Sequence, residues 1–319
     1  MFPSESPAGN HNERFSPLRF IAVLGLSYLS SLILLYVLLW TLGLEQWFRR
    51  SQLQASATAY IATFILCGLF NCLVEYLFHR AVLHAPLIPY LLVEKWGAGR
   101  ITGRKFLDPL VLRLARAFYS FYVQHHRVHH PLTDITRRKE SSSSEDLVVH
   151  NRYPIVHEHQ HEASYFPDHT YFMFLAFALP FFTPVQIIFP NTPIFLMGFT
   201  GLAVSLALYE IRHAADHWPE ERLEKLFSLP LLGEPIKEWF KFHRAHHANV
   251  DVNMAISGFF LIPVFDYVFR TYKRIKTFYP HKSKPHDDDF EAPEPRFLGW
   301  LTQLIHESRE WKAASALQN

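Results

Sequence analysis

Cysteine is almost absent. The chain has only Cys67 and Cys72, five residues apart in one apolar stretch where a disulfide has nothing to staple and a thiolate would be costly to bury. That excludes a disulfide framework and argues against thiolate metal sites. A charge imbalance is missing too: 31 Lys and Arg stand against 29 Asp and Glu, for a formal net charge of +2. With no basic stripe interleaved with aromatics, nucleic acid is not an expected partner. No solenoid-type repeat occurs, and the first apolar run is too long for the core of a secretory signal. Charge itself is scarce, and from several long runs it is lacking altogether.

Those runs organise the chain. Residues 1–17 are polar and proline-containing, as expected of a disordered tail. Residues 20–42 carry no charge and exceed the roughly 20 residues that cross a hydrocarbon core. A link with Glu45, Arg49 and Arg50 leads to a second apolar segment, 57–74, closed by Glu75, His79 and Arg80. Residues 170–209 are again uncharged and are broken by Pro190-Asn191-Thr192-Pro193, which reads as a hairpin of two spans. Four spans place both termini and the basic segment 80–169 on one side, which charge bias assigns to the cytosol.

The expected fold class is therefore an all-α, multi-pass membrane protein with about four transmembrane helices and a helical cap. The membrane-embedded domain is expected over 18–275. Within it, residues 110–130 suggest a helix at the membrane surface, 131–169 a flexible insertion around the low-complexity TRRKESSSSED, and 259–269 a re-entrant or interfacial helix. Residues 276–319 read as a solvated tail.

Histidine is over-supplied, with 20 copies, although a residue that titrates near neutrality is a poor bulk filler. Four clusters stand out: His79 and His84 in HRAVLH; His126, His129 and His130 in HRVHH; His213 and His217 in HAADH; His243, His246 and His247 in HRAHH. On an α-helix, residues three and four apart share a face, so each HxxHH triplet can present three imidazoles to one point. His79 and His84 fit only if the helix widens locally or ends near Ala85-Pro86, since a spacing of five separates side chains by about 140°. One histidine at a helix end is ordinarily a cap; four clusters on one membrane face form a ligand set, and imidazole suits iron, zinc, copper or nickel.

Glu75 and Glu210, one turn before His79 and His213, are candidates to orient ligands by accepting a second ring N–H, while Asn253 and Asp266 could hydrogen-bond ligands or equally cap helices. His125 lies outside the triplet's α-helical arc and reads as a spectator or as a group that supports the ligands from behind. His157, His159 and His161 read as loop residues, and His11, His281, His286 and His306 as tail residues. A His-rich metal transporter or metal-binding membrane protein is the alternative reading; a transporter should carry polar ligands near the bilayer midplane, where Asn71 is the clearest polar residue.

The order of these boxes resembles the fatty acid hydroxylase and sterol desaturase superfamily, integral-membrane di-iron oxygenases whose pattern is HxxxxH or HxxxH, HxxHH, then a distant HxxxH and HxxHH. The similarity spans about residues 57–273, including FHRAHHANVDVNMAISGFFLIPVFDYVFRTYKR. The resemblance implies two iron ions held by His79, His84, His126, His129, His130, His213, His217, His243, His246 and His247, with O2 as co-substrate. It also implies hydroxylation or desaturation of a fatty acyl, sphingolipid or sterol C–H bond at the endoplasmic reticulum, the active site facing the cytosol. The chain leaves no room for the cytochrome b5 domain fused to some relatives. The expected electron donor is then separate, such as cytochrome b5 with its reductase.

Overall fold

The computed structural model describes residues 16–96, 107–141, 145–157, 160 and 164–311. It is mostly helical, and four helices are long and apolar enough to cross a membrane. These are α1 (Pro17–Thr41), α2 (Ala57–Phe78), α4 (Thr170–Ile188) and α5 (Ile194–Asp216); α3 (Leu107–Tyr122) lies between α2 and α4 in the chain. Ser16 and Ser56 cap α1 and α2 by accepting the Arg19 and Ala59 N–H groups, which fixes where each span starts. Residues 189–193 part α4 from α5 where proline removes helix donors.

Large apolar side chains remain exposed on the spans, among them Leu26, Ile33, Leu34, Ile61, Leu66, Ile187 and Ile188. Such a belt suits lipid rather than water, because an α-helix bonds most of its backbone groups within itself. Inside the bundle an aromatic core joins α2, α3 and α4, with Phe78 stacked on Phe174 at 3.9 Å and edge-on to Phe121 at 5.8 Å. At the end away from the histidines, Gln52 ties the two hairpin turns together: its amide nitrogen donates to Gln186 Oε1 and the Thr192 carbonyl, and its oxygen accepts the Leu196 N–H.

The other end carries the cap. There α6 (Glu220–Phe227) and α7 (Gly233–Ala248) follow α5, and α8 (Gly299–Glu310) closes the described chain. Three expectations are corrected here. The insertion is no loose loop: β1 (Ile135–Lys139) and β2 (Leu147–Asn151) pair antiparallel, with Ile135 opposite Asn151 and Lys139 opposite Leu147. Val149 in β2 also exchanges backbone hydrogen bonds with Ser283 and Lys282, far along the chain, and Val149 and Tyr153 are fully buried. The C-terminal segment is no solvated tail, because α8 buries Leu301 and Ile305 beside Leu87 and Tyr90, and Arg309 donates to the His84 carbonyl. Residues 259–269 form a tight turn and one short helix, Val264–Val268, in place of an interfacial helix. Low complexity and charge hid these contacts, since the partners that bury each segment are distant in sequence. The expected disordered tail over 1–17 falls almost wholly outside the described residues.

Candidate metal centre

Two departures from α-helical geometry build the site. After Phe78, residues His79–Leu83 continue α2 as a π-helical turn, and the His84 N–H donates to the His79 carbonyl at 3.0 Å. A five-residue bond brings residues five apart onto one face, so the two imidazoles stack with centroids 4.9 Å apart. Val123–His129 likewise continues α3 as a π-helix, with the His130 N–H donating to the His125 carbonyl. Four- and five-residue spacings now align where three- and four-residue spacings would on an α-helix. His125, His129 and His130 therefore face the centre, and His126 does not.

The inward side chains form two groups whose nitrogens lie within 4.8 Å of one another: His129, His213, His217, His243 and His247 in one, His79, His84, His125 and His246 in the other. The elements are mixed between them, α5 and most of α7 serving the first and α2 the second. His130 stands between the groups, stacked on the His247 ring at 4.2 Å with its Nε2 3.3 Å from His125 Nε2. Eight of the ten residues expected from sequence are thus in a group and a ninth joins the groups. His126 is the exception: it meets His84 Nδ1 at 3.1 Å and stacks on Tyr122. His125, expected as a spectator, takes the inward place.

Nε2 atoms point at one another across both groups, at 3.2 Å for His79 and His125, 2.9 Å for His84 and His246, 3.2 Å for His129 and His213, and 3.1 Å for His243 and His247. The outer nitrogens settle which form these rings take. Nδ1 of His79, His217, His246 and His247 meets the carbonyls of Met254, Tyr153, Val252 and Thr133 at 2.6 to 3.0 Å. A carbonyl only accepts, so Nδ1 carries the proton and Nε2 offers a lone pair. For His129 the acceptor is Ser164 Oγ, whose own proton goes to the Gln160 carbonyl. Burial, followed by the facing imidazoles, holds His84, His125, His129, His130, His243 and His247 well below the ordinary histidine range, and burial brings His246 down to about 4.

Burial favours the neutral form of these rings, and the five whose Nδ1 is so bound, His79, His129, His217, His246 and His247, each turn an Nε2 lone pair into a group. A cation among them would satisfy those lone pairs. Metal–imidazole bonds of about 2.0–2.1 Å separate neighbouring donor nitrogens by roughly 3 Å, the spacing found. The donor set fits a metal in each group. Five nitrogens in one group are more than the four that a tetrahedral zinc site uses.

The carboxylates act one step further out than expected. Glu75 touches no ring nitrogen; it accepts the Ser257 N–H at 2.7 Å, the Gly258 N–H at 3.0 Å and the Ser257 hydroxyl. Asp266 accepts the Met254 and Ala255 N–H groups, each at 2.8 Å. Asn253, at positive φ, bonds Phe242 and the Lys273 backbone. All three brace the 252–258 loop, whose carbonyls hold His246 and His79. Glu210 braces the other side by accepting the Phe166 N–H. Sequence reasoning missed Thr133, Tyr153 and Ser164, because they act through backbone or hydroxyl atoms that no residue-type motif marks. All three lie in the insertion, which positions His247, His217 and His129. His157, His281, His286 and His306 are exposed and in neither group; His11, His159 and His161 lie outside the described residues. Comparison with protein-family models, with curated proteins and with solved structures finds no match to this chain.

Proposed function

We propose that this protein is a membrane-bound di-iron oxygenase that uses O2 to hydroxylate or desaturate a lipid C–H bond, as its resemblance to the fatty acid hydroxylase and sterol desaturase superfamily implies. The observation that carries the reading is the pair of all-nitrogen ligand groups, joined by His130, at one end of four apolar helices. Bound there, two irons would supply the oxidation of an unactivated C–H bond, chemistry that no protein side chain performs alone. The chain's own part is to bind, orient and exclude water. Carbonyls of Thr133, Tyr153, Val252 and Met254 fix the ligand tautomers, and the β-hairpin and α8 cover the cap. A lipid substrate follows from position, since the buried centre sits where the spans end and an amphiphile in the bilayer reaches it most directly.

A metal transporter would need ligands midway along its spans. Here the grouped histidines are all at one end, and Asn71 in α2 donates to the Gly198 carbonyl, a helix-to-helix tie. In this reading the histidine end faces the cytosol at the endoplasmic reticulum membrane, where a separate cytochrome b5 and its reductase would deliver electrons. Lipidomics of a host expressing the wild type beside His246→Ala and His129→Ala tests the activity. An oxidised lipid made by the wild type and lost in both variants is expected; three identical profiles refute it, as would fewer than two irons per chain in active protein.

A further inference from the structure

The C-terminal helix α8 carries no histidine of either group, yet its last turn reaches one group from behind. Arg309 donates from Nε to the His84 carbonyl at 3.0 Å and from Nη2 to Asp251 Oδ1 at 3.1 Å. His84 ends the π-helical turn, and a helix end leaves carbonyls that need donors from elsewhere. Asp251 precedes Val252, whose carbonyl holds His246 Nδ1 at 2.8 Å. One planar guanidinium thus ties together the two backbone segments whose histidines face each other, with Nε2 atoms 2.9 Å apart.

We propose that α8 is a clasp for the ligand group of His79, His84, His125 and His246, and that Arg309 is the positioning residue that sets His84 against His246. The proposal rests on the metal-centre reading and holds whatever reaction the metals serve. Three observations support it. His84 depends on its backbone more than its neighbours do: Nδ1 of His79 and of His246 meets a carbonyl, whereas Nδ1 of His84 meets the partly buried ring of His126 at 3.1 Å. A ring so held is only as fixed as the chain that carries it.

Arg80 laces the same three segments from inside. It lies in the π-helical turn, is buried, and donates to the Asp251 carbonyl at 3.4 Å and to Thr302 Oγ1 of α8 at 3.5 Å. The helix that presents Arg309 is itself seated: Leu301 and Ile305 are buried beside Leu87 and Tyr90, the Tyr90 hydroxyl donates to Glu307 Oε2 at 3.0 Å, and Lys95 pairs with the same oxygen at 3.1 Å. The other group takes its outer contacts from the insertion instead, through Thr133, Tyr153 and Ser164. A change at Arg309 should therefore be felt by one group alone.

The test is cobalt(II) titration of detergent-purified protein, followed by visible absorption, with each group isolated in turn. His243→Ala disables the other group and leaves the clasped one; His79→Ala does the reverse. Adding Arg309→Met should weaken cobalt binding about 10- to 100-fold in the His243→Ala protein and alter its d–d absorption, while the His79→Ala protein binds as before. Arg309→Lys, the milder change, keeps the charge but reaches only one of the two acceptors, so it too should lose affinity in the His243→Ala protein alone. Equal losses in both backgrounds mark a general loosening of the fold and overturn the proposal, as does undiminished affinity of the His243→Ala protein with either Arg309 variant. In those outcomes the metal centre stands; a wild type that binds no cobalt overturns the centre and the clasp together.

Discussion

Replacing Asp266 by Asn should weaken metal binding although Asp266 touches no histidine. Its carboxylate is fully buried and accepts three short hydrogen bonds: Met254 N–H at 2.8 Å and Thr271 Oγ1 at 2.7 Å on one oxygen, Ala255 N–H at 2.8 Å on the other. Burial pushes this carboxyl up to about 6, against the pull of those donors, so it is mostly ionised at neutral pH. Asparagine keeps one oxygen and sets an NH2 against a backbone N–H. At least one charge-assisted bond is lost and a buried donor is left unmet, a cost of about 2–4 kcal/mol. The same loop presents the Met254 carbonyl to His79 Nδ1 at 2.6 Å. Loosening such an outer contact typically lowers metal affinity about 10- to 100-fold. Chelator competition on detergent-purified Asp266→Asn should show that loss in the group holding His79, with two metals still bound at saturation. Thr271→Val, which removes one of the three bonds and keeps the Met254 N–H bonded, should destabilise by about 1 kcal/mol and leave affinity near wild type. An Asp266→Asn protein of reduced stability but unchanged metal affinity would refute the idea that the loop transmits orientation to His79.

Other expectations follow from the same geometry. His243→Ala and His79→Ala fall in different groups, so each should lower saturating metal content toward one equivalent per chain by elemental analysis; loss of both metals in each would mean that the groups are not separable sites. His125→Ala should cost far more metal affinity than His126→Ala, and the reverse order would show that the π-helical turn does not set the ligands. Acid should destabilise the metal-free protein: burial lowers His246 from the ordinary 6.5 to about 4, so between those values the unfolded chain binds the extra proton and stability rises with pH. The contribution is complete above about 6.5 and is lost progressively below it, about 2 kcal/mol by pH ~5 for His246 alone. Chemical denaturation across that range checks the sign, and flat stability would refute it.

The sequence by itself determined what local chemistry can determine. Uncharged runs long enough to cross a bilayer mark the four spans, and Pro190 to Pro193 mark the turn between the last two, because length and hydropathy act residue by residue. Clustered histidines announced a nitrogen ligand set for the same reason. Only the tertiary structure decided which imidazoles face inward. The choice of His125 over His126 rests on a π-helical bonding pattern that residue spacing does not encode, and the tautomers rest on carbonyls of residues 133, 153, 252 and 254, contributed by segments distant from the histidines they hold. Glu75, Asn253 and Asp266 were legible as candidate supports for the histidines, but their partners were not: each braces a backbone loop and leaves the rings to that loop's carbonyls. The insertion and the C-terminal helix α8 read as solvated because their composition is polar, whereas their burial comes from pairing with distant chain, which composition cannot report.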